Sequence, residues 1–172
     1  MINKIGEYLD LNMNRTRLVL ANGQIRFLSQ DFRRKENRLI HGIEIIAEYL
    51  EDENQTFVRE INRNKKERRE LFTFELVETA IRYVCKENAD DILYSLVRLL
   101  TFDAIVGNND RHFYNWGVIG NMAKVDEQKP QFSPIYDSAR ALYWNKTDEA
   151  VCKTFEKYLK GDTASIEAYI NN

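Results

Sequence analysis

The sequence predicts an α+β fold, largely helical, with a small β-hairpin near its start. Three observations carry this. Residues 71–85 and 90–106 repeat apolar side chains at helical spacing over several turns. Asn22-Gly23 stands between two apolar runs, and both residues tolerate positive φ, which is a strong local hairpin signal. The 172 residues include only two prolines and seven glycines, so no Pro/Gly/Ser linker divides the chain.

The elements follow in order. Ile5, Tyr8 and Leu9 predict a short amphipathic helix over residues 2–11. Residues 16–21 and 25–29 are the hairpin strands, followed by a basic turn from Arg33 to Arg38. Leu39 to Leu50 reads as a helix with Ile40, Ile43, Ile46, Ala47 and Leu50 on one face. Residues 51–69 are strongly charged and read as a loop or an exposed helix start. Residues 71–85 then carry a wide apolar stripe (Leu71, Phe74, Leu76, Val77, Ala80, Ile81, Val84) that suits a core helix. Asp90 or Asp91 is placed to cap the next helix, which is apolar on most sides and is expected to be central and buried. Gly107 can end it in a left-handed conformation. A loop over 108–115, a strand over 116–119, an insert over 120–130 and a strand over 132–136 come next. Residues 147–159 and 164–170 read as closing helices.

Composition narrows the function classes. Apolar residues make up 44% and charged residues 30%, ordinary for one globular domain with its own core. The net charge of −2 gives no global electrostatic argument for nucleic acid or membrane as a partner. No apolar run approaches the roughly 20 residues that span a bilayer, and residues 1–7 lack a signal-peptide apolar core. Cys85 and Cys152 are the only cysteines, and Cys85 sits within an apolar helical pattern, which predicts a reduced, buried thiol and a cytoplasmic location. Two Cys and two His at wide separation do not make a metal-ligand spacing.

The chemistry lies in Asn108-Asn109-Asp110-Arg111-His112-Phe113-Tyr114-Asn115-Trp116-Gly117 and in Tyr136-Asp137-Ser138. Taken singly, Asp and Asn here are ordinary turn and cap residues. Taken as an ordered set, they match what phosphoryl transfer requires. One carboxylate orients or deprotonates the attacking hydroxyl, and hard oxygen ligands hold magnesium on the phosphates. Asp110 and Asn115 share one loop, and a hairpin from Trp116 to Tyr136 can return Asp137 beside them. His112 reads as a loop-shaping residue and His41 as a packing residue at a helix start. Arg111 suits either loop support or phosphate contact. The basic run Arg59, Arg63, Lys65, Lys66, Arg68 and Arg69 reads as a solvated face, with docking of an acidic partner as the functional alternative.

The loop resembles the Asp-Arg-His-x-x-Asn signature of HipA-like serine/threonine kinases and, more distantly, of phosphatidylinositol lipid kinases. Residues 132–140 resemble the Pro-x-Tyr-Asp segment of HipA-like proteins. Residues 28–32 and 39–42 resemble the stretch between hinge and first large-lobe helix, so the similarity runs from about residue 5 to about residue 145. It implies a protein-kinase-like fold, with residues 1–32 as a partial N-lobe (helix, hairpin and hinge) and 33–172 as a helical C-terminal lobe. It implies that Asp110 is the catalytic residue, that Asn115 and Asp137 ligate Mg2+ on ATP, and that Phe27, Leu28, Ser29 and Gln30 form the hinge that meets adenine. It implies transfer of the γ-phosphate to a protein serine or threonine. HipA-like proteins are bacterial kinases, and several are toxins restrained by a small DNA-binding antitoxin.

The chain departs from that pattern at its front. No glycine-rich loop and no Val-Ala-x-Lys strand precedes residue 5, and Glu7 is a candidate for the glutamate that pairs the ATP-binding lysine. A large lobe with the rear of a small lobe is therefore expected, with a missing N-lobe chain as one possible partner. The alternatives are a non-catalytic pseudokinase-like binding module and a lipid kinase. Against the lipid kinase, the sequence has no strong amphipathic membrane-binding stretch.

Overall fold

A computed structural model of the chain describes residues 1–33, 36–64, 73–120 and 129–162. Its helices are α1 (Ile2–Tyr8), α2 (Gly42–Tyr49), α3 (Thr56–Arg63), α4 (Phe74–Cys85), α5 (Ala89–Val106) and α6 (Asp148–Leu159). Its strands are β1 (Thr16–Ala21), β2 (Gln24–Ser29), β3 (Arg38–His41), β4 (Gly117–Gly120) and β5 (Gln131–Phe132). They form two antiparallel sheets, β1-β2 and β3-β4-β5. The mixed α+β fold is the one the sequence predicts.

Hydrophobic burial assembles the helices. Ile43, Ile45 and Ile46 of α2, Ala80 and Ile81 of α4, and Ile92, Leu96 and Leu99 of α5 form one core with Trp116 and Val118. Each large aliphatic side chain buried there contributes about 1.5–3 kcal/mol. Thr73 caps α4 by accepting the Leu76 N–H, and Thr147 caps α6 by accepting the Ala150 N–H. Asn22 and Gly23 both take positive φ (53° and 73°), so the hairpin closes on the two-residue turn expected from the sequence.

Several elements differ from expectation. Leu39 to Leu50 is not one helix. Arg38–His41 is β3, and Ile40 pairs with Val118 of β4. A short apolar run is compatible with either state, and here the buried backbone of β4 supplies the partner. Within α2, Ile45 is buried along with Ile43, Ile46 and Ala47, whereas Leu50, just past its end, is exposed. In α1, Tyr8 and Leu9 are exposed and only Gly6 is fully buried. The charged stretch 51–69 includes α3, whose Val58 and Ile61 are buried. The Asp52 carboxylate steadies its start by accepting the Thr56 and Val58 N–H groups.

The N-cap position of α5 is Asn88, whose side chain makes no capping bond, and Asp90 and Asp91 lie in the first turn facing the positive end of the helix dipole. It is buried on one face only, because Tyr94, Val97, Leu100 and Ile105 are exposed. The second strand of the site hairpin is the two-residue β5, not residues 132–136. Leu71, the basic residues 65–69, most of the 120–130 insert and the helix expected over 164–170 lie outside the described residues. Among the described residues no helix is long and apolar enough to cross a membrane.

Candidate active site

α5 delivers the loop. Gly107 ends the helix in the left-handed region (φ 64°, ψ 39°), and the Asn108 N–H closes on the Asp103 carbonyl at 2.9 Å. The loop then folds on itself. His112 donates its N–H to the Asp110 carbonyl at 3.0 Å, and Asn115 donates its own to the His112 carbonyl at 2.8 Å. His112 Nδ1 accepts the Tyr114 N–H at 3.3 Å, a loop-shaping contact. The Asn115 side chain is buried, and its Nδ2 donates to the Asp110 carbonyl at 2.8 Å. The loop thus uses one of the two N–H donors of this amide.

Arg111 ties this loop to the segment that carries Asp137. Its Nη1 donates to the Asn115 carbonyl at 2.6 Å and to the Tyr136 carbonyl at 2.8 Å. Those two carbonyl oxygens are therefore no farther apart than the two bonds laid end to end. Nη2 reaches Ser138 Oγ at 3.0 Å. The guanidinium is held from behind by a bidentate pair with Asp103 (Nε–Oδ2 2.6 Å, Nη2–Oδ1 3.0 Å). Of the two roles open to Arg111 in the sequence, the structure gives it loop support.

The β4-β5 hairpin brings the chain back, with Val118 opposite Phe132 and Ile119 opposite Gln131. Trp116 stacks on Phe132 with centroids 6.2 Å apart. Tyr136 donates its hydroxyl to the Tyr114 carbonyl at 2.9 Å and lies 3.2 Å from His41 Nδ1. Burial pushes the Tyr136 phenol well above the ordinary tyrosine range, with Arg111 opposing and the Asp137 charge reinforcing. Asp137 itself is exposed and holds φ at 52°, in the left-handed region.

A cleft of about 590 Å³ opens between the hairpin and this segment, lined in part by Phe27, Ser29, Asp137 and Ser138. Leu28, Gln30, Asp110 and Asn115 are not among its lining residues. The hairpin ladder accounts for part of this division. The Gln30 N–H bonds the Arg15 carbonyl at 2.9 Å, so Leu28 and Gln30 face β1 with their backbone groups, while Phe27 and Ser29 turn theirs outward. Asn14 joins the two walls. Its N–H bonds the Ile135 carbonyl at 2.9 Å, and its Nδ2 reaches Ser29 Oγ at 2.8 Å and the Gln30 carbonyl at 3.2 Å.

Sequence reasoning missed three residues here. Asp103 is a lone carboxylate on the inner face of an apolar helix, and that position was the available signal. Asn14 follows no pattern that marks it. Arg140 places Nη1 3.2 Å from Asp110 Oδ1, a contact across thirty positions that no local spacing announces.

The donor set fits magnesium. This ion takes hard oxygen ligands, usually one or two from carboxylates, and fills the rest with water and substrate phosphate. Asn115 Oδ1 and the exposed Asp137 carboxylate are of that kind. Among the described residues no group of three or more His, Cys, Asp or Glu side chains could hold a metal ion by itself.

A family model described as the HipA-like C-terminal domain matches residues 2–167. Among solved structures, the Helicobacter pylori proinflammatory kinase CtkA matches with a TM-score of 0.68 at 22% identity. The match covers 98% of this chain and 54% of that one, so the chain spans about half the length of that kinase. No curated protein matches the sequence.

Proposed function

The chain belongs to the HipA-like C-terminal domain family, and from that premise we propose that it is the large-lobe part of an ATP- and magnesium-dependent kinase acting on protein serine or threonine hydroxyls. The observation that carries this is the Arg111 clamp. One guanidinium nitrogen holds the carbonyls of Asn115 and Tyr136, which sets Asn115 beside the residue preceding Asp137. Asn115 and Asp137 are the two residues that would hold magnesium, and Asp110 would orient the acceptor hydroxyl and take its proton. Bound magnesium-ATP would supply the transferable phosphoryl group and the cation that neutralises its charge. Phe27 and Ser29 would meet the nucleotide base in the cleft that Asp137 also lines.

A further lobe, bringing a lysine and a phosphate-covering loop, fits the hairpin. Leu18, Leu20, Ile25 and Phe27 are exposed on one face of it, an apolar surface that a partner would cover. Its source would be either a second chain or a longer form of this one.

Calorimetric titration with ATP, with and without magnesium, tests the reading. Magnesium-dependent binding that disappears in Asp137→Asn supports it. Binding indifferent to magnesium, or unchanged in that variant, contradicts it. If the chain alone binds no nucleotide, the same titration with the small-lobe partner added decides, and persistent failure leaves a non-catalytic binding module.

A further inference from the structure

We infer that Arg140, seated on Trp144, is a specificity-determining cation that selects an acidic side chain next to the acceptor hydroxyl. This rests on the kinase reading of Asp110 and adds the substrate class to it.

Arg140 Nη1 donates to Asp110 Oδ1 at 3.2 Å, with both side chains partly open to solvent. The guanidinium lies 5.4 Å from the centroid of the Trp144 ring, itself exposed. Arginine carries five N–H donors, and among the described residues Asp110 is the one hydrogen-bond acceptor that Arg140 meets. The remaining donors form a fork suited to a carboxylate. Lys146 adds a second cation on the same turn, 5.4 Å from the Tyr143 ring centroid. Asp148 and Glu149 follow at the start of α6, and neither pairs with Arg140 or Lys146.

The turn is built to hold the guanidinium in place. Ala141 is buried against Phe102 and Val106, and the Leu142 N–H bonds the Val106 carbonyl at 2.8 Å. Leu142 and Tyr143 both adopt left-handed φ (58° and 56°), which L residues rarely do, and the pair bends the chain between Arg140 and Trp144.

The same turn indicates which reactant Arg140 meets. Ala139, Ala141 and Leu142 line the cleft assigned to the nucleotide, whereas Arg140, Trp144 and Asp110 do not. The cation therefore stands outside that cleft, beside the carboxylate that would receive the acceptor hydroxyl. An acceptor carrying Asp or Glu beside its Ser or Thr satisfies the free donors there, and a basic acceptor is repelled.

The test uses the whole chain and two fluorescein-labelled peptides, one with serine between pairs of glutamates and one with glutamines in their place. Anisotropy at low salt should show the acidic peptide bound roughly tenfold tighter. Arg140→Gln should bring the two peptides within about twofold, and Arg140→Lys should restore part of the difference. Equal binding of the two peptides by the unmodified chain, failure of both to bind at millimolar concentration, or an undiminished preference in Arg140→Gln overturns the inference. The magnesium-ATP titration separates this from the kinase reading. Nucleotide binding without acidic preference removes only the role of Arg140. Acidic preference without nucleotide binding in the complete assembly keeps the anion site and removes the kinase reading.

Discussion

Arg111 and Asp103 form a bidentate ion pair whose side chains are 5% and 6% exposed, one on the catalytic-type loop and one on the inner face of α5. The loop is therefore anchored to the core helix by a buried charge pair as well as by the packing of Phe113 against the core. Removing one partner strands the other charge. Arg111→Ala should lower unfolding free energy by about 3–5 kcal/mol. Arg111→Lys should also be destabilised, because an ammonium cannot reproduce the fork that spans Asp103 and two carbonyls. Urea denaturation measures both, and a loss under about 1 kcal/mol for Arg111→Ala would contradict the anchoring role.

On the proposed kinase reading, Asp110 and Asp137 should separate cleanly. Asn tolerates the left-handed backbone at position 137, so Asp137→Asn removes the charge without adding strain. It should abolish magnesium-dependent nucleotide binding while leaving the melting temperature near that of the parent. Asp110→Asn should keep nucleotide binding within about twofold and lower transfer by roughly 10²–10⁴ in the assembled enzyme. Calorimetry and a phosphate-transfer assay read the two effects, and identical behaviour of the variants would refute the division of roles.

Gly117 is fixed by close approach. A Cβ there would lie 2.3 Å from the Ile40 carbonyl oxygen, at the His41 end of the β3-β4 pair. Gly117→Ala should cost about 1–3 kcal/mol or more, because backbone rather than a flexible side chain must move. Gly23→Ala is the control for strain alone, since nothing lies within 4 Å of the Cβ it would add.

The two thiols should differ in reactivity. Burial pushes the Cys85 thiol up to about 11, whereas Cys152 is exposed. At pH 8 a disulfide reagent should titrate one thiol in the native chain and two in urea. The sign of the pH effect follows from linkage. The folded state keeps Cys85 protonated while the unfolded state ionises near 9.0. Its contribution is thus complete below that value and is lost as pH rises towards about 11. Cys85→Ala should flatten that part of the stability profile, and an unchanged alkaline slope would count against the buried thiol as its source.

Some of this was legible in local pattern. The Asn22-Gly23 turn, the α4 stripe from Val77 to Val84 and the left-handed stop at Gly107 each depend on residues close in sequence, where propensity and periodicity act. The family resemblance was legible because Asp110 and Asn115 share a loop and Asp137 follows one hairpin later. Other features were settled by partners far away. Leu39 to His41 became strand because β4 lies beside it, and α5 is apolar on a face that the described residues leave open.

The sequence by itself determined the fold class, the main helices and the order of the site residues, since each rests on short-range spacing and backbone preference. The tertiary structure alone decided that Arg111 faces inward to Asp103, that Asn14 bridges the hairpin to Ile135, and that Arg140 meets Asp110. These are contacts between charged or polar groups brought together by chain reversal. Their energies come from burial and geometry at the meeting point, which composition and periodicity do not encode.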